Sequence, residues 1–299
     1  QRRFGGWEPS HREQAVLFEA AGWSTLGPVA LNCAAPDEAN MYILSKIANA
    51  EQTEKFLLPV IEGRQRSVFA MTEPGGAGSD PGQLQTEAVF DGSEYVINGR
   101  KWLITGANGA KTWIIMARVA PNAHGGDGPT LFLCHGDTPG IELERVMNTM
   151  DRNYVEGHGV VQFNNVRLPA SAVLGEVGEA LRYAQMRLTP ARLTHAMRWL
   201  GAGMRAQSIA VEHARTRTAS LFLPIGLHAG WIFVNTLYMG TTLTTKAMRA
   251  GKFNLGTGDS AIPLIGAQLK IGLLPLAVLA LTSLAVLWWL RLRLKKLPA

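Results

Sequence analysis

The sequence predicts an α+β fold that ends in two apolar helices able to cross a membrane. Apolar residues recur at helical spacing over 37–63, and short alternating runs separated by turn residues then fill 67–168. A helical pattern returns over 179–217, after which the chain becomes strongly apolar. These changes divide the chain into a helical part, a β-domain, a second helical part and a membrane tail, at 1–66, 67–168, 169–217 and 218–299.

The composition excludes several classes of protein. With 299 residues, 47% of them hydrophobic, the chain is too apolar to be a disordered protein. Cys33 and Cys134 are too few for a disulfide framework, which fits a reducing compartment. The net charge of +6 comes from the tail, because residues 1–217 hold 21 basic and 22 acidic side chains, whereas 218–299 hold 8 and 1. We therefore expect a membrane, and no nucleic acid, as a partner.

The helical lead-in is predicted from apolar residues three or four positions apart, which form one stripe on each of two short helices. These residues are Met41, Leu44 and Ile47, then Phe56, Leu57, Val60 and Ile61. Pro59 is expected to end or restart the second helix, because proline has no backbone N–H. The chain begins at Gln1 rather than at a methionine, so we expect it to be a fragment at its N-terminus.

The β-domain is predicted from β-branched runs that end at turn residues. The runs are 95–98 before Asn98-Gly99, 113–119 before the glycine-rich 121–129, then 130–134 and 160–166. Because alternation with short turns is typical of hairpins, the domain is expected to be antiparallel. The helical pattern that follows is expected to bend or begin near Pro190.

A glycine-rich segment, FAMTEPGGAGSD at 69–80, opens the β-domain. A strand that enters such a loop leaves backbone N–H groups unpaired and lets the main chain approach a ligand closely, as an anionic pyrophosphate requires. Glycine clusters are also common at ordinary tight turns. Taken alone, the segment leaves a phosphate-binding loop and a plain turn as open alternatives.

Four ordered motifs resemble those of the acyl-CoA dehydrogenase family over residues 30–217. They are Asn32–Asp37 with Ile61–Gly63, Thr72-Glu73-Pro74 with Ser79-Asp80, Gly99–Gly106, and Asn164–Pro169 with Leu174-Gly175. The resemblance implies part of that family's fold: the end of an N-terminal helical domain, a flavin-binding β-domain and the start of a C-terminal helical domain. It also implies FAD as the cofactor and an acyl-CoA as the substrate.

The resemblance assigns flavin-binding roles by position. It implies that groups around Met71 and Thr72 face the flavin ring, with a hydrogen bond from Thr72 toward the flavin N5 edge. Ser79 is expected at the FAD pyrophosphate or the neighbouring acyl-CoA, and Thr105 against the ring system. Most family members place an aromatic residue where this chain has Leu103, so the usual packing of an indole on the flavin is not expected here.

The second helical part holds one further candidate. Arg192 matches an arginine that supports the active site in the family's third domain, and it is therefore a candidate for substrate binding. The alternative is an arginine that packs its stem along a helix. His158, His195 and His213 are interpreted as structural or surface residues, because no metal-ligand spacing links them, and no metal site is expected.

The family reaction needs a carboxylate that removes the α proton of the thioester while the β hydrogen leaves as hydride to flavin. The resemblance places that base in helices that follow the point of departure near Arg217, where the only further acid is Asp259. No catalytic residue is therefore assigned, and turnover is expected to be absent or impaired. The family also implies an electron-transfer flavoprotein as acceptor and a homo-oligomer, although much of that interface would be missing.

The tail contains two apolar segments, 219–239 and 271–290. Twenty uncharged residues in the second span about 30 Å, and Trp288-Trp289 with the basic residues beyond form an interfacial anchor. A buried core helix is the alternative for the first segment. Residues 220–231 with Asn235 weakly resemble the end of CPBP/CAAX-type intramembrane metalloproteases, but the other metal ligands of that family are missing.

These observations leave three functions open. The leading interpretation is an FAD-dependent acyl-CoA dehydrogenase of fatty acid metabolism that is joined to a membrane tail. The join is either a genuine gene fusion or an artefact of sequence assembly. The tail is expected to keep the dehydrogenase part on the cytoplasmic side of the membrane. The alternatives are a membrane-anchored FAD or acyl-CoA binding module without turnover, and a fused remnant of an intramembrane protease. A wholly cytoplasmic location is the alternative to membrane association.

Overall fold

The computed structural model describes residues 4–6, 9–75, 80–123, 126–149 and 157–218. The chain divides into two units, 1–204 and 205–299, and the described part of the second is the end of one helix. The two predicted membrane segments lie outside the described residues. Among the helices that the structure describes, none is long and apolar enough to cross a membrane.

Helices precede and follow a β-sheet, as the sequence predicts. They are α1 (His11–Gly22), α2 (Gly27–Ala30), α3 (Asp37–Ile47), α4 (Ala50–Gln52), α5 (Leu58–Ile61) and α6 (Ala180–Thr218). Helix α1 begins at a capping box, in which Ser10 and Glu13 satisfy each other's backbone N–H groups. A π-helical turn at Thr53–Leu57 joins α4 to α5, and Pro59 lies in the first turn of α5. The expectation that Pro59 restarts a helix is therefore confirmed.

Helix α6 is one continuous helix of 39 residues with Pro190 in its interior. The alternative that Pro190 marks a helix start is therefore wrong. A proline inside a helix removes one backbone hydrogen bond, and the remaining bonds of a long helix can hold the flanking turns in place.

Seven strands form one sheet. They are β1 (Ser67–Ala70), β2 (Glu87–Phe90), β3 (Glu94–Thr105), β4 (Thr112–Ala123), β5 (Gly126–His135), β6 (Ile141–Val146) and β7 (His158–Pro169). Strand β4 pairs with β5, and β3 pairs with β2 and β7, all antiparallel. The prediction of a purely antiparallel domain is wrong, however, because β1 and β2 both run parallel to β4. Local turn signals report hairpins and carry no information about pairings between distant segments.

Strands β1 and β2 lie one after the other along the same edge of β4. Strand β1 pairs with residues 112–115, whereas β2 pairs with 118–119. The glycine-rich segment connects these two strands, so it leaves the sheet and returns to it at one place. This arrangement brings the segment beside β3, the next strand of the sheet.

Strand β4 is buried on both faces, which explains its nearly continuous apolar sequence. Trp113 and Ile115 belong to a core enclosed by the strands, together with Tyr95, Phe132 and Phe163. The intervening Ile114 and Met116 join a second core, in which helices α3, α5 and α6 cover the sheet. The two cores hold the helices and the sheet of the first unit together.

Helices α1 and α6 cross at two glycines. A Cβ atom on Gly22 would lie 2.0 Å from the backbone oxygen of Arg198, and one on Gly201 would lie 2.0 Å from that of Glu19. No carbon atom fits at such a distance from an oxygen, so only glycine permits this approach of the two backbones.

Candidate functional site

The end of β3 that lies beside the glycine-rich segment contains a β-bulge in its pairing with β7. Lys101 pairs with Val161 and Ile104 with Gly159, so three steps along β3 match two along β7. Leu103 takes up the extra residue at φ +55°, and its side chain is 43% exposed. The bulge therefore turns Leu103 out of the core at the position where the sequence predicts contact with a flavin.

A buried ion pair fixes the glycine-rich segment to β3. The Nζ atom of Lys101, with no exposed surface, donates hydrogen bonds to the Glu73 carboxylate at 2.7 Å and to the backbone oxygen of Met71 at 2.9 Å. The same carboxylate accepts the backbone N–H groups of Gln85 at 2.6 Å and Thr86 at 2.9 Å. One side-chain pair thus ties together β3, the start of the segment and its return toward β2.

Both members of this pair remain charged at neutral pH. Burial lowers the pKa of Lys101 to about 8, although the Glu73 carboxylate opposes the shift. Burial by itself raises the pKa of Glu73, but attraction to Lys101 and the hydrogen bonds it accepts outweigh that effect and leave the pKa lowered. The pair is therefore a buried ion pair, in which each charge depends on the other.

The main chain completes this attachment at Thr72. The backbone N–H of Trp102 donates to the backbone oxygen of Thr72 at 3.1 Å. Beside this bond, the buried indole Nε1 of Trp102 has no hydrogen-bond partner among the described residues. A buried donor without an acceptor is rare in folded proteins, and a ligand rich in acceptor atoms would satisfy it.

Thr105, at the end of β3, pairs with a histidine on β7. Its hydroxyl oxygen lies 2.9 Å from Nδ1 of His158, and the two residues are directly opposite in the antiparallel register. The residues that adjoin this pair are also hydrogen-bonded, because the backbone N–H of Gly106 donates to the backbone oxygen of Gly157 at 2.9 Å. Both side chains are half-buried, so the pair is held by the strands and still has accessible surface.

A second network joins α6 to β1 just before Met71. The Nε atom of the buried Arg187 donates to Asn40 at 2.8 Å, and its guanidinium lies 4.2 Å from the centre of the Phe69 ring. Asn40 in turn donates to the Ser67 hydroxyl at 2.9 Å. Burial lowers the pKa of Arg187 to about 10, so it remains a cation.

Arg192, the predicted substrate-binding residue, is exposed on α6. It borders a cavity of about 450 Å³ between α6 and the start of α3, together with Glu38, Arg187 and Trp199. Met71, Thr72, Leu103 and Thr105, the flavin-binding candidates within the described residues, do not line this cavity. Glu38 is already engaged by Thr194 at 2.8 Å.

The structure thus brings Met71, Thr72 and Leu103 together, and Thr105 follows two residues further along the same strand. Ser79 lies outside the described residues. Arg192 borders a different cavity, so the structure does not bring it to the flavin candidates. Within the described ranges, no group of histidine, cysteine and acidic residues could hold a metal ion.

Sequence reasoning did not single out Lys101, Glu73 or His158 as parts of this site. Glu73 is a member of the Thr72-Glu73-Pro74 motif, but nothing local shows that it pairs with a residue 28 positions away. The glycines beside His158 were the one available signal, because they mark a strand end where another strand approaches closely.

Comparison with known proteins shows which family the chain resembles. Residues 68–166 match the family model described as acyl-CoA dehydrogenase, middle domain. A probable acyl-CoA dehydrogenase of Mycobacterium tuberculosis is 43% identical over 213 residues, which cover 69% of this chain and 52% of that protein. The matched part of this chain is similar to acyl-CoA dehydrogenases. Residues 68–166 contain most of the sheet, so the sheet is the element that the family model identifies.

Solved structures of acyl-CoA dehydrogenases are similar to this chain as well. A candidate acyl-CoA dehydrogenase from Mycobacterium abscessus is 39% identical, with a TM-score of 0.67, and the match covers 77% of this chain and 59% of that one. An acyl-CoA dehydrogenase from Bacillus anthracis, solved as a complex with FAD, has the same fold at 22% identity and a TM-score of 0.62, covering 76% of this chain and 38% of that one. The chain therefore spans little more than half the length of the two mycobacterial proteins.

Proposed function

We propose that the chain is part of an acyl-CoA dehydrogenase and binds FAD. The proposed site lies where the main chain at Met71 and Thr72 meets the bulge in β3. The observation that carries the proposal is the attachment of Met71 and Thr72 to β3 through Lys101 and Trp102, beside the exposed Leu103. This attachment holds a short segment of main chain in a fixed position next to an uncovered strand surface. Binding sites for planar cofactors need such preorganised backbone and side-chain groups.

The described residues fit a flavin ring in three respects. The unpaired indole N–H of Trp102 offers a donor to a ring that carries several acceptor atoms. The exposed face of Leu103 offers apolar contact in place of an aromatic side chain. Thr72 and Thr105 supply hydroxyl groups at the two ends of this surface, and Ser79 is proposed to meet the pyrophosphate or the acyl-CoA.

In the proposed reaction, bound FAD would accept the hydride that leaves the β-carbon of an acyl-CoA thioester. The chain's own residues would hold the ring. A hydrogen bond donated by Thr72 would stabilise the electron density that arrives at the ring, and the Lys101–Glu73 pair would keep Thr72 in place. Leu103 would help to exclude water from that face.

Fewer residues are proposed to contact the substrate than to contact FAD. We propose Arg192 as a contact for the acyl-CoA, an electron-transfer flavoprotein as the acceptor, and impaired turnover, since no base is assigned in this chain. Turnover needs the base and the flavin to face each other across the substrate. Measured dehydrogenation of an acyl-CoA with an artificial electron acceptor distinguishes an active dehydrogenase from a flavin-binding module.

Flavin binding is tested by titrating the purified chain with FAD and following the quenching of flavin fluorescence. We expect saturable binding that Thr72→Val weakens, because the variant keeps the shape and loses the hydroxyl. Thr189→Val, which changes an exposed threonine on α6, is the matched control and is expected to bind FAD like the unaltered chain. Absence of FAD binding, or equal effects of the two changes, would refute the proposed site.

A further inference from the structure

The pair formed by Thr105 and His158 has a property that goes beyond holding two strands together. The hydroxyl oxygen and the imidazole Nδ1 are 2.9 Å apart, a normal hydrogen-bond distance in either direction. A threonine hydroxyl carries a single hydrogen but has two lone pairs, whereas each imidazole nitrogen is either a donor or an acceptor. The state of Nδ1 therefore determines which way the hydrogen of Thr105 points.

Two arrangements follow. If Nδ1 is bare, Thr105 donates its hydrogen to His158 and presents only lone pairs to a neighbouring ligand. If Nδ1 carries a hydrogen, His158 donates to Thr105, and the threonine keeps its own hydrogen for the ligand. In the second arrangement the two hydrogen bonds lie in series, and each polarises the other.

We propose that His158 is a positioning residue that holds Thr105 as a hydrogen-bond donor toward the bound flavin, by donating Nδ1–H to the threonine oxygen. This inference rests on the proposed FAD site. The ring nitrogens and carbonyl oxygens at the edge of an oxidised flavin are mostly acceptors, so a useful neighbour must donate. The hydroxyl needs a second group that fixes its direction, and in the described structure His158 is the group at hydrogen-bond distance from it.

The backbone supports this assignment. Direct opposition of the two residues in the β3–β7 register places their side chains on the same side of the sheet. The hydrogen bond from Gly106 to Gly157 fixes the strand ends, so the pair does not depend on flexible loops for its geometry. Gly157 and Gly159 flank the histidine in the sequence.

Reduction of the ring adds electron density, which a donated hydrogen bond stabilises. Loss of the His158 donor should therefore weaken binding of reduced FAD more than binding of oxidised FAD. We expect His158→Phe to weaken binding of the reduced form about fivefold more, the equivalent of one ordinary hydrogen bond. This corresponds to a decrease of about 20 mV in the two-electron midpoint potential.

A double-mutant cycle on the flavin-loaded chain separates this role from a structural one. In a Thr105→Val background, His158→Phe should no longer change the potential, because the group through which it acts is absent. His158→Asn should restore the potential, since its amide N–H occupies the place of Nδ1. His135→Phe, at a histidine that stacks on Phe56, is the matched control and should leave the potential unchanged.

A second measurement does not need the flavin. In the chain without FAD, ¹⁵N NMR of the His158 imidazole at neutral pH should show a hydrogen on Nδ1, and Thr105→Val should shift that resonance. A bare Nδ1 overturns the inference whether or not FAD binds. If FAD binds but His158→Phe leaves the potential unchanged, raises it, or has the same effect in the Thr105→Val background, the inference fails and the proposed function stands. If the unaltered chain binds no FAD, both fail together.

Discussion

Replacing Lys101 by methionine would leave the Glu73 carboxylate buried without the cation that balances it. Removing one partner of a buried ion pair costs about 3–5 kcal/mol. Here the backbone N–H groups of Gln85 and Thr86 still solvate the carboxylate, which favours the lower end of that range. The backbone oxygen of Met71 also loses its donor, at about 1 kcal/mol. We therefore expect Lys101→Met to destabilise the sheet by about 4 kcal/mol.

Hydrogen exchange of the β3 and β7 amides is the suitable assay, because it reports the free energy of opening of this sheet and not of the whole chain. A loss of about 4 kcal/mol would increase the exchange of the most protected amides by nearly a thousandfold. The matched variant is Lys101→Met with Glu73→Gln, which removes both charges and keeps an acceptor oxygen for one of the two backbone donors. It should recover at least about 2 kcal/mol of the loss.

The result that would refute this reasoning is a small effect of the single change. A loss below about 1 kcal/mol, or a double variant no more stable than Lys101→Met, would show that Glu73 reaches water or takes up a proton at little cost. The ion pair would then contribute little to the position of Thr72, and FAD affinity should be indifferent to it.

Three further changes test other contacts. Gly201→Ala should lower the unfolding midpoint although alanine favours helix by about 1 kcal/mol, because its methyl group meets the backbone of α1; a raised midpoint contradicts the close crossing. Gly99→Ala should do the same on the sheet, since its Cβ would lie 2.4 Å from the Thr86 hydroxyl; unchanged exchange of β2 and β3 amides argues against that contact. Burial, with help from Arg198, lowers the pKa of His195 below its ordinary 6.5, so the unfolded chain takes up a proton first and stability falls as pH drops below about 6.5. His195→Asn should flatten that dependence in acid titrations of stability, and an unchanged slope counts against it.

The order of helices and strands could be predicted because each leaves a local pattern in the sequence. The stripe that includes Leu44 and Ile47 identifies α3. The expectation that a strand ends at Asn98-Gly99 is wrong, because this pair lies inside β3 and the strand continues to Thr105. The parallel pairing of β1 with β4 leaves no such pattern, because it joins residues 45 positions apart. Contacts of that range depend on the packing of the whole sheet.

The same distinction applies to the site. Thr72 and Thr105 are predicted as site residues from motifs, which are local by nature. Lys101 could not be found, since a lysine in an alternating strand predicts an exposed side chain, and only the folded sheet shows that Glu73 lies opposite. The bulge at Leu103 is equally invisible, because an inserted residue follows no periodicity.

The bulge has a consequence for how such strands can change over time. Lys101 and Ile104 are both buried although an odd number of steps separates them, which an uninterrupted strand with a single buried face would not allow. The inserted residue changes which positions of the strand face the core, so the inward-facing positions before Leu103 and those after it follow separate alternations. A substitution at this point can therefore exchange the residue offered to a ligand while the core on either side keeps its register.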